Sequence, residues 1–374
     1  MKGSKLLCAL GGLAAAFGAT SAHALAWYFP SAASSMAQEI DHLHQYVMWL
    51  IIVIFVGVFG FMFYACFAHR KSRGHPAEQF HENTTVEILW TVIPALILIV
   101  IAWPVTKTVI AQKDTSSPDL TIKATGYQWK WGYDYLKGEG EGISFVSMLA
   151  TPREQIDAGA QKDENYLLEV DRELVVPLDK KVRVLTTAAD VIHAWWVPAF
   201  GVKQDAIPGF IRDIWFRADK LGTFRGQCAE LCGKEHGFMP IVVRVVSQED
   251  YTKWVAQQKQ ATAAQAEDVN KKWDSKELVA HGEKVYSANC VACHQANGRG
   301  APPAFPPLAG SKVVNGPKEG HMDIVLNGKA GTAMAPFGKQ LSDTDIAAVI
   351  SYERGSWGNK SGIVQPAEVR ARHK

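Results

Sequence analysis

The sequence predicts a multi-domain chain of three unlike parts: a transmembrane helical hairpin, then a β-sandwich or barrel, then a small all-α domain. Three observations carry this. Residues 46–68 and 88–106 are apolar runs without a charged side chain, residues 120–246 hold short alternating segments punctuated by Pro and Gly, and residues 276–360 place helical patterns around one Cys-x-x-Cys-His sequence. The 374 residues are 48% apolar and 20% charged with a formal net charge of +2, a globular balance that argues against disorder, collagen or coiled coil. At about 100–200 residues per domain, two or three units are expected. With 39 basic against 37 acidic residues, no general attraction to nucleic acid is expected.

Residues 1–24 read as a cleaved secretory signal: a basic start (Lys2, Lys5), an apolar stretch over 6–19 and a small-residue end at Ala22-His23-Ala24. A retained anchor is the alternative, but the stretch is shorter than the about 20 residues of a span. Residues 25–111 then form the hairpin. Its runs of 23 and 19 residues are each long enough to cross about 30 Å of hydrocarbon. Arg70, Lys71 and Arg73 directly after the first run put the connecting loop in the cytoplasm by the positive-inside bias, so everything after residue 108 is exported. Pro94 inside the second run is tolerated where neighbouring helices satisfy the freed carbonyl, which points to a partner subunit. Cys66 reads as a small packing residue.

In residues 112–248, the segments 120–125, 166–170, 181–185, 213–216 and 241–246 read as strands of an antiparallel sandwich or barrel. Residues 249–275, rich in Ala, Gln and Lys, read as a helical or flexible linker. Residues 361–374 read as a tail.

The strongest local signal is Cys290-Val291-Ala292-Cys293-His294. Its two thiols can form thioethers to haem vinyl groups while His294 ligates iron. A redox dithiol or half a zinc site are the rivals, but no second Cys pair follows, and a dithiol does not require the histidine. Met334, on a Pro-bounded loop, offers a thioether for the sixth iron position, and a Met/His pair raises the reduction potential. Met322 is the competing thioether, but it falls in a helical pattern over 320–326 and reads as core, with His321 beside it at the surface. Residues 280–286 and 342–352 read as the terminal helices of a small cytochrome c, with Ser342 as a cap.

A second cluster packs Cys228, Glu230, Cys232, His236 and Met239 into twelve residues, with His193 upstream. Soft sulfur with imidazole selects copper or zinc. A Cys2His2 zinc site or a disulfide is the bland alternative, the latter favoured by export. A tetrahedral zinc site has no use for Met239, and a mononuclear blue copper site needs one Cys where two are supplied. Two thiolates on one loop can bridge two copper ions, each completed by one histidine and a weak axial donor.

On these motifs the chain resembles subunit II of the haem-copper cytochrome c oxidase family, in the variant with a fused C-terminal cytochrome c domain. The resemblance implies that the β unit is a cupredoxin-like β-sandwich/barrel, that His193, Cys228, Cys232, His236 and Met239 ligate a dinuclear copper (CuA) centre, and that Glu230 adds its backbone carbonyl. It also implies that the Glu230 carboxylate reaches a magnesium ion at the boundary with the catalytic subunit. Trp129, in the aromatic run 126–135, would receive electrons beside the copper; bottom-up the run is a strand with a large apolar face. Glu87 would form the mouth of a proton path; bottom-up it caps a span. Implied partners are oxidase subunits I and III, a soluble cytochrome c or other high-potential donor, and the lipid of a bacterial inner membrane, with the copper and haem domains in the periplasm. The chain itself offers no oxygen-reducing site, since its spans hold no histidine cluster.

One departure stands out. The loop 136–142 (Leu136, Lys137, Gly138, Glu139, Gly140, Glu141, Gly142) differs from the acidic surface that non-fused relatives offer to soluble cytochrome c. Residues 112–248 hold 17 basic and 19 acidic side chains, a balance of −2, and residues 276–374 hold 12 and 8, a balance of +4. Opposite signs favour docking of the tethered haem unit over the copper unit. Two rival functions remain at this point. One is the equivalent subunit of a nitric oxide reductase, the related nitrous oxide enzyme being disfavoured by the two spans and the lack of a propeller-length domain. The other is a periplasmic copper-delivery protein, against which the haem motif argues.

Overall fold

In the computed structural model the described residues are 29–74, 81–151, 155–156, 162, 164–303, 305–338 and 340–373; the expected signal peptide lies outside them. Two long helices come first, α1 (Ser35–Ala68) and α2 (Thr84–Lys113). At 1.5 Å per residue they measure about 51 and 45 Å, so both extend beyond about 30 Å of hydrocarbon. Their apolar side chains face outward along the expected spans, as in Phe61 and Leu98. This is the arrangement that lipid or partner helices require. The Ser34 side chain caps α1 by accepting from the Ala37 N–H, and Asn83 caps α2 by accepting from Val86.

The β unit is two five-stranded sheets. The strands are β1 (Leu120–Tyr127), β2 (Lys130–Lys137), β3 (Ser144–Ser147), β4 (Leu174–Pro177), β5 (Lys181–Ala188), β6 (His193–Val197), β7 (Val202–Ala206), β8 (Arg212–Arg217), β9 (Gly222–Cys228) and β10 (Pro240–Val246). One sheet runs β3-β2-β1-β5-β8 and the other β4-β10-β9-β6-β7. Alternate residues of β5 point inward, as period-two patterning dictates. Ile122, Trp131, Tyr133, Tyr135, Val184, Trp195, Phe216 and Ile241 fill the space between the sheets.

Two strand expectations change. The sheets are mixed, because β1 pairs with β5 and β10 with β4 in parallel. Of residues 166–170 only Val170 makes a bridge, and the segment begins in a turn over 164–167, since Leu167 sits at a positive φ of 63° that breaks a strand.

The expected linker carries α3 (Gln248–Asp268). It is no free spacer: Tyr251 and Val255 join the sandwich core and Trp254 packs on Tyr135 with ring centroids 5.4 Å apart. The departing loop supplies its seat. Glu139 accepts a hydrogen bond from the Gln248 side chain at 2.9 Å and its carbonyl accepts one from Lys259 at 3.1 Å.

The C-terminal unit contains α4 (Ser275–Asn289), α5 (Val291–His294), α6 (Lys318–Asn327), α7 (Asp343–Gly355) and α8 (Pro366–Arg372). Helices α4 and α7 cross at Gly282, where a Cβ would stand 2.0 Å from the Ala348 carbonyl; only glycine permits so close a crossing. Ser342 caps α7 through a reciprocal capping box with Asp345. Two expectations are corrected here. The expected tail carries α8, and Val364 and Val369 are fully buried in the same core as Val285, Tyr286 and Ile350. His321 is buried, not superficial: its Nε2 lies 2.8 Å from the buried Glu353 carboxylate. Met322 is in the core, as expected for a helical methionine.

Candidate copper and haem sites

Sheet pairing assembles the copper candidates. His193 opens β6, Cys228 closes β9 opposite Trp195, and Met239 directly precedes β10. The loop between β9 and β10 is pinned at its base by Cys228 N–H to Met239 O (3.3 Å) and Ala229 N–H to Ala194 O (3.1 Å). It carries Cys232 and His236 inward.

The result is one continuous chain of donors. His193 Nδ1 lies 3.9 Å from Cys228 Sγ, which lies 3.8 Å from Cys232 Sγ. Cys232 Sγ is in turn 3.5 Å from both His236 Nδ1 and Met239 Sδ. The Glu230 carbonyl is 3.3 Å from Cys228 Sγ, while its side chain is exposed. His193, Cys228, Cys232 and Met239 are buried, and His236 is half-buried.

The electrostatics are those of a site built for cations. With the Cys232 thiol donating to Cys228, the Cys228 thiol is pushed well down and Cys232 well up. Two buried thiolates this close repel strongly and ionise together only when positive charge lies between them. Burial opposes the charged form of His193, but its hydrogen bonds with Asp190 and Cys228 outweigh this and raise its pKa.

Sequence reasoning gave Asp190 no role. Its carboxylate accepts from His193 Nε2 at 2.8 Å, from the Gln128 N–H at 2.7 Å and from the Val191 N–H at 2.7 Å. It thereby fixes the tautomer that turns Nδ1 toward the sulfurs, the usual work of a carboxylate behind a metal-binding histidine. The available signal was an acid three residues before the histidine. Gly126 was also passed over: a Cβ there would lie 2.6 Å from His193 Cδ2, so the imidazole occupies the room that glycine leaves.

Trp129 is half-buried against the same loop. Its indole N–H donates to the Cys232 carbonyl at 3.2 Å, and the Gln128 side chain donates to that carbonyl at 2.9 Å. Glu87 lies exposed in the first turn of α2, far from this cluster in the chain, and its carbonyl accepts from Thr91 at 2.9 Å. That position fits the dipole role.

In the C-terminal unit, Cys290, Cys293 and His294 lie on or beside α5, and Cys290 and Met334 pack on the domain core. His294 Nδ1 is 3.0 Å from the Pro306 carbonyl. Donation there leaves Nε2 with a free lone pair, as an iron ligand needs. Burial pushes both the Cys290 and Cys293 thiols up, the opposite of the lowered pKa of a reactive dithiol. The Met334 backbone is tied into its turn by Thr332 Oγ1 (3.2 Å) and Lys329 N–H (3.0 Å). The donor sets of both sites fit copper and haem.

Fold and sites together define a membrane-anchored redox subunit with an exported domain. Residues 22–107 match the family model for the transmembrane domain of cytochrome c oxidase subunit II, and residues 120–246 match its periplasmic domain. Residues 277–352 match the model described as cytochrome c oxidase, cbb3-type, subunit III. Cytochrome c oxidase subunit 2 of Cereibacter sphaeroides is 41% identical over 248 residues, 63% of this chain and 80% of that protein. Its counterpart in Schizosaccharomyces pombe is 40% identical over 62% of this chain and 92% of its own. The crystal structure of the periplasmic domain of subunit II from Bradyrhizobium japonicum is 48% identical, covering 39% of this chain and 98% of that one, with a TM-score of 0.35. The chain belongs to the cytochrome c oxidase subunit II family, whose members are subunits of a haem-copper oxidase complex, and it carries a cytochrome c domain.

Proposed function

We propose that this chain receives electrons for a respiratory cytochrome c oxidase of the bacterial inner membrane, with its copper and haem domains in the periplasm. The observation that carries the reading is the run of 3.5–3.9 Å contacts through His193, Cys228, Cys232, His236 and Met239. Two thiols shared between two histidines match a dinuclear copper centre and exceed what one metal in a blue-copper site uses.

When bound, haem c on Cys290, Cys293, His294 and Met334 and the copper pair each supply reversible one-electron chemistry, taking electrons from a soluble cytochrome c or similar donor and yielding them to subunit I. The protein's part is to fix positions. Asp190 orients His193, and the pinned loop holds the sulfurs in place through a change of metal charge. Trp129 joins the protein surface to the Cys232 backbone through one hydrogen bond. The exposed Glu230 carboxylate is free to meet a magnesium ion at the boundary with subunit I, and Glu87 is placed to open a proton path there. Subunit III and lipid complete the surroundings of the hairpin.

The test is electron paramagnetic resonance with optical spectra on the full chain matured with copper and haem. The expected result is copper hyperfine structure from one electron shared by two equivalent nuclei, with haem that stays on the chain through acid extraction. A mononuclear copper signal, zinc alone or extractable haem overturns the reading.

A further inference from the structure

Lys130 opens β2 directly after Trp129, yet its side chain is only 6% exposed. A lone ammonium is costly to bury unless it finds partners; Asp190 and Asp171 of the copper domain act on it at a distance, and its two direct contacts among the described residues belong to the C-terminal unit. Its Nζ donates to Asn289 Oδ1 at 3.0 Å and lies 4.8 Å from the centroid of the Phe337 ring, within cation–π range. Asn289 is held ready: its Nδ2 donates to the Val285 carbonyl at 3.0 Å, which turns Oδ1 toward the lysine.

The places of these partners matter. Asn289 immediately precedes Cys290, and Phe337 follows Met334 by three residues. The lysine therefore touches both margins of the haem-carrying face, the attachment helix and the methionine loop. On its other side one peptide bond joins it to Trp129, whose indole reaches Cys232. Two further observations agree. Helix α3 is packed on the sandwich, so the tether starts from a fixed place, and the two units carry charges of opposite sign.

We propose that the haem-carrying face of the C-terminal unit is seated on the copper domain at Lys130, with Asn289 and Phe337 as its two partners, so that Cys290 is presented to Trp129. This rests on the proposed electron-relay function, and Lys130 acts in it as a positioning residue. A buried charge of this kind gives orientation more than affinity. Replacing it with an apolar side chain is tolerated, whereas removing a partner leaves it buried and unpaired.

That asymmetry makes the test. In the full chain, acylation of Lys130 by an amine-reactive reagent is followed by mass spectrometry, with the exposed Lys137 as reference. Asn289→Leu and Phe337→Leu are each expected to accelerate Lys130 labelling roughly tenfold, since an orphaned buried donor costs about 1–3 kcal/mol. Haem-to-copper electron equilibration after pulsed reduction is expected to slow in the same two variants. Lys130→Met, which loses the orienting hydrogen bond but orphans no charge, slows it less than Asn289→Leu does, and the double variant Lys130→Met/Asn289→Leu is no slower than Lys130→Met. Unchanged labelling in both single variants, or a double variant as slow as Asn289→Leu, overturns the proposal. Should Asn289→Leu impair haem attachment, Phe337→Leu carries the same comparison. A copper spectrum lacking the shared-electron pattern defeats the functional reading alone, because the labelling experiment reports docking whichever metal is bound.

Discussion

Gly126→Ala tests whether the site of His193 depends on the room a glycine leaves. Gly126 lies in β1 with extended-strand pairing to Trp131 and Ala188, so alanine fits the backbone there, and the cost falls on what its Cβ meets. That atom would stand 2.6, 2.8 and 3.0 Å from His193 Cδ2, Cγ and Cβ, against about 3.5–4.0 Å for carbon atoms in contact. The imidazole must retreat by about 1 Å. Behind it Asp190 grips Nε2, so retreat also strains that hydrogen bond. Overpacking of this kind costs about 1–3 kcal/mol, while metal ligation tolerates only about 0.2 Å. Copper affinity is therefore expected to fall about 10–100-fold, the loss seen when a supporting group behind a ligand is disturbed, which is about 1.4–2.7 kcal/mol and comparable with the cost to stability. Copper titration of the metal-free chain, read by absorbance and paramagnetic resonance, measures the first quantity, and thermal melting measures the second. A variant that binds copper with unchanged affinity and an unchanged spectrum refutes the claim that Gly126 makes room for a ligand.

Asp190→Asn keeps the size of the side chain but removes the charge behind His193; copper affinity should drop about 10–100-fold while the Trp129 segment, still bonded through the Gln128 N–H, keeps its fold by hydrogen exchange. Gly282→Ala forces a Cβ into the Ala348 carbonyl at the α4–α7 crossing, and a cost of about 3 kcal/mol lowers the melting of the haem unit by roughly 10–20 °C, with copper binding unaffected. The seat at Lys130 has a definite pH dependence. Burial lowers its pKa to about 8, against the opposing pull of Asp190 and Asp171. Below pH 8 docked and released forms both hold the proton. Between about 8 and 10.5 only the released form does, so docking strengthens as pH rises through that window, by about 3 kcal/mol at most. Small-angle scattering across the range detects this, and an identical profile in Lys130→Met contradicts it.

The candidate copper loop was legible because its chemistry is compressed: five donors in twelve residues leave few other uses for two cysteines, a histidine and a methionine. The haem motif was legible for the same reason. What escaped were residues whose value comes from a neighbour remote in sequence. Asp190 is an ordinary loop acid until β6 brings His193 against Cys228, and Gly126 is an ordinary strand glycine until the second sheet sets an imidazole over it. Helix α3 looked aperiodic because, among its described side chains, only Tyr251 and Val255 are buried, with Trp254 beside them; one turn of contact leaves no repeat to detect. The burial of His321 was hidden likewise, since the Glu353 that pairs with it lies 32 residues away. The parallel pairing of β1 with β5 could not be read from alternation, which reports the buried face and is silent on strand direction.

The hairpin and the copper domain are locked to each other in a way that bears on function. Before α1, the Ala33 N–H donates to the Ala199 carbonyl at 2.7 Å, and Ser34 Oγ donates to the Phe200 carbonyl at 2.8 Å. In the first turn of α1, Gln38 reaches Asp219 at 2.6 Å. At the far end of α2, the Trp215 indole donates to the Ala111 carbonyl at 3.0 Å and Thr115 Oγ1 to Asp213 at 2.7 Å. The sandwich is thus gripped at both exported ends of the hairpin and has no single hinge about which to swing. Electron transfer falls off steeply with separation, so the proposed relay to a membrane-embedded partner needs its metals at a constant height above the bilayer. Two grips set that height where one flexible junction would leave it to fluctuate. Helix α3 extends the same logic outward: by packing on Tyr135 and the Glu139 loop, it carries the rigidity of the anchored sandwich to the point where the haem unit begins.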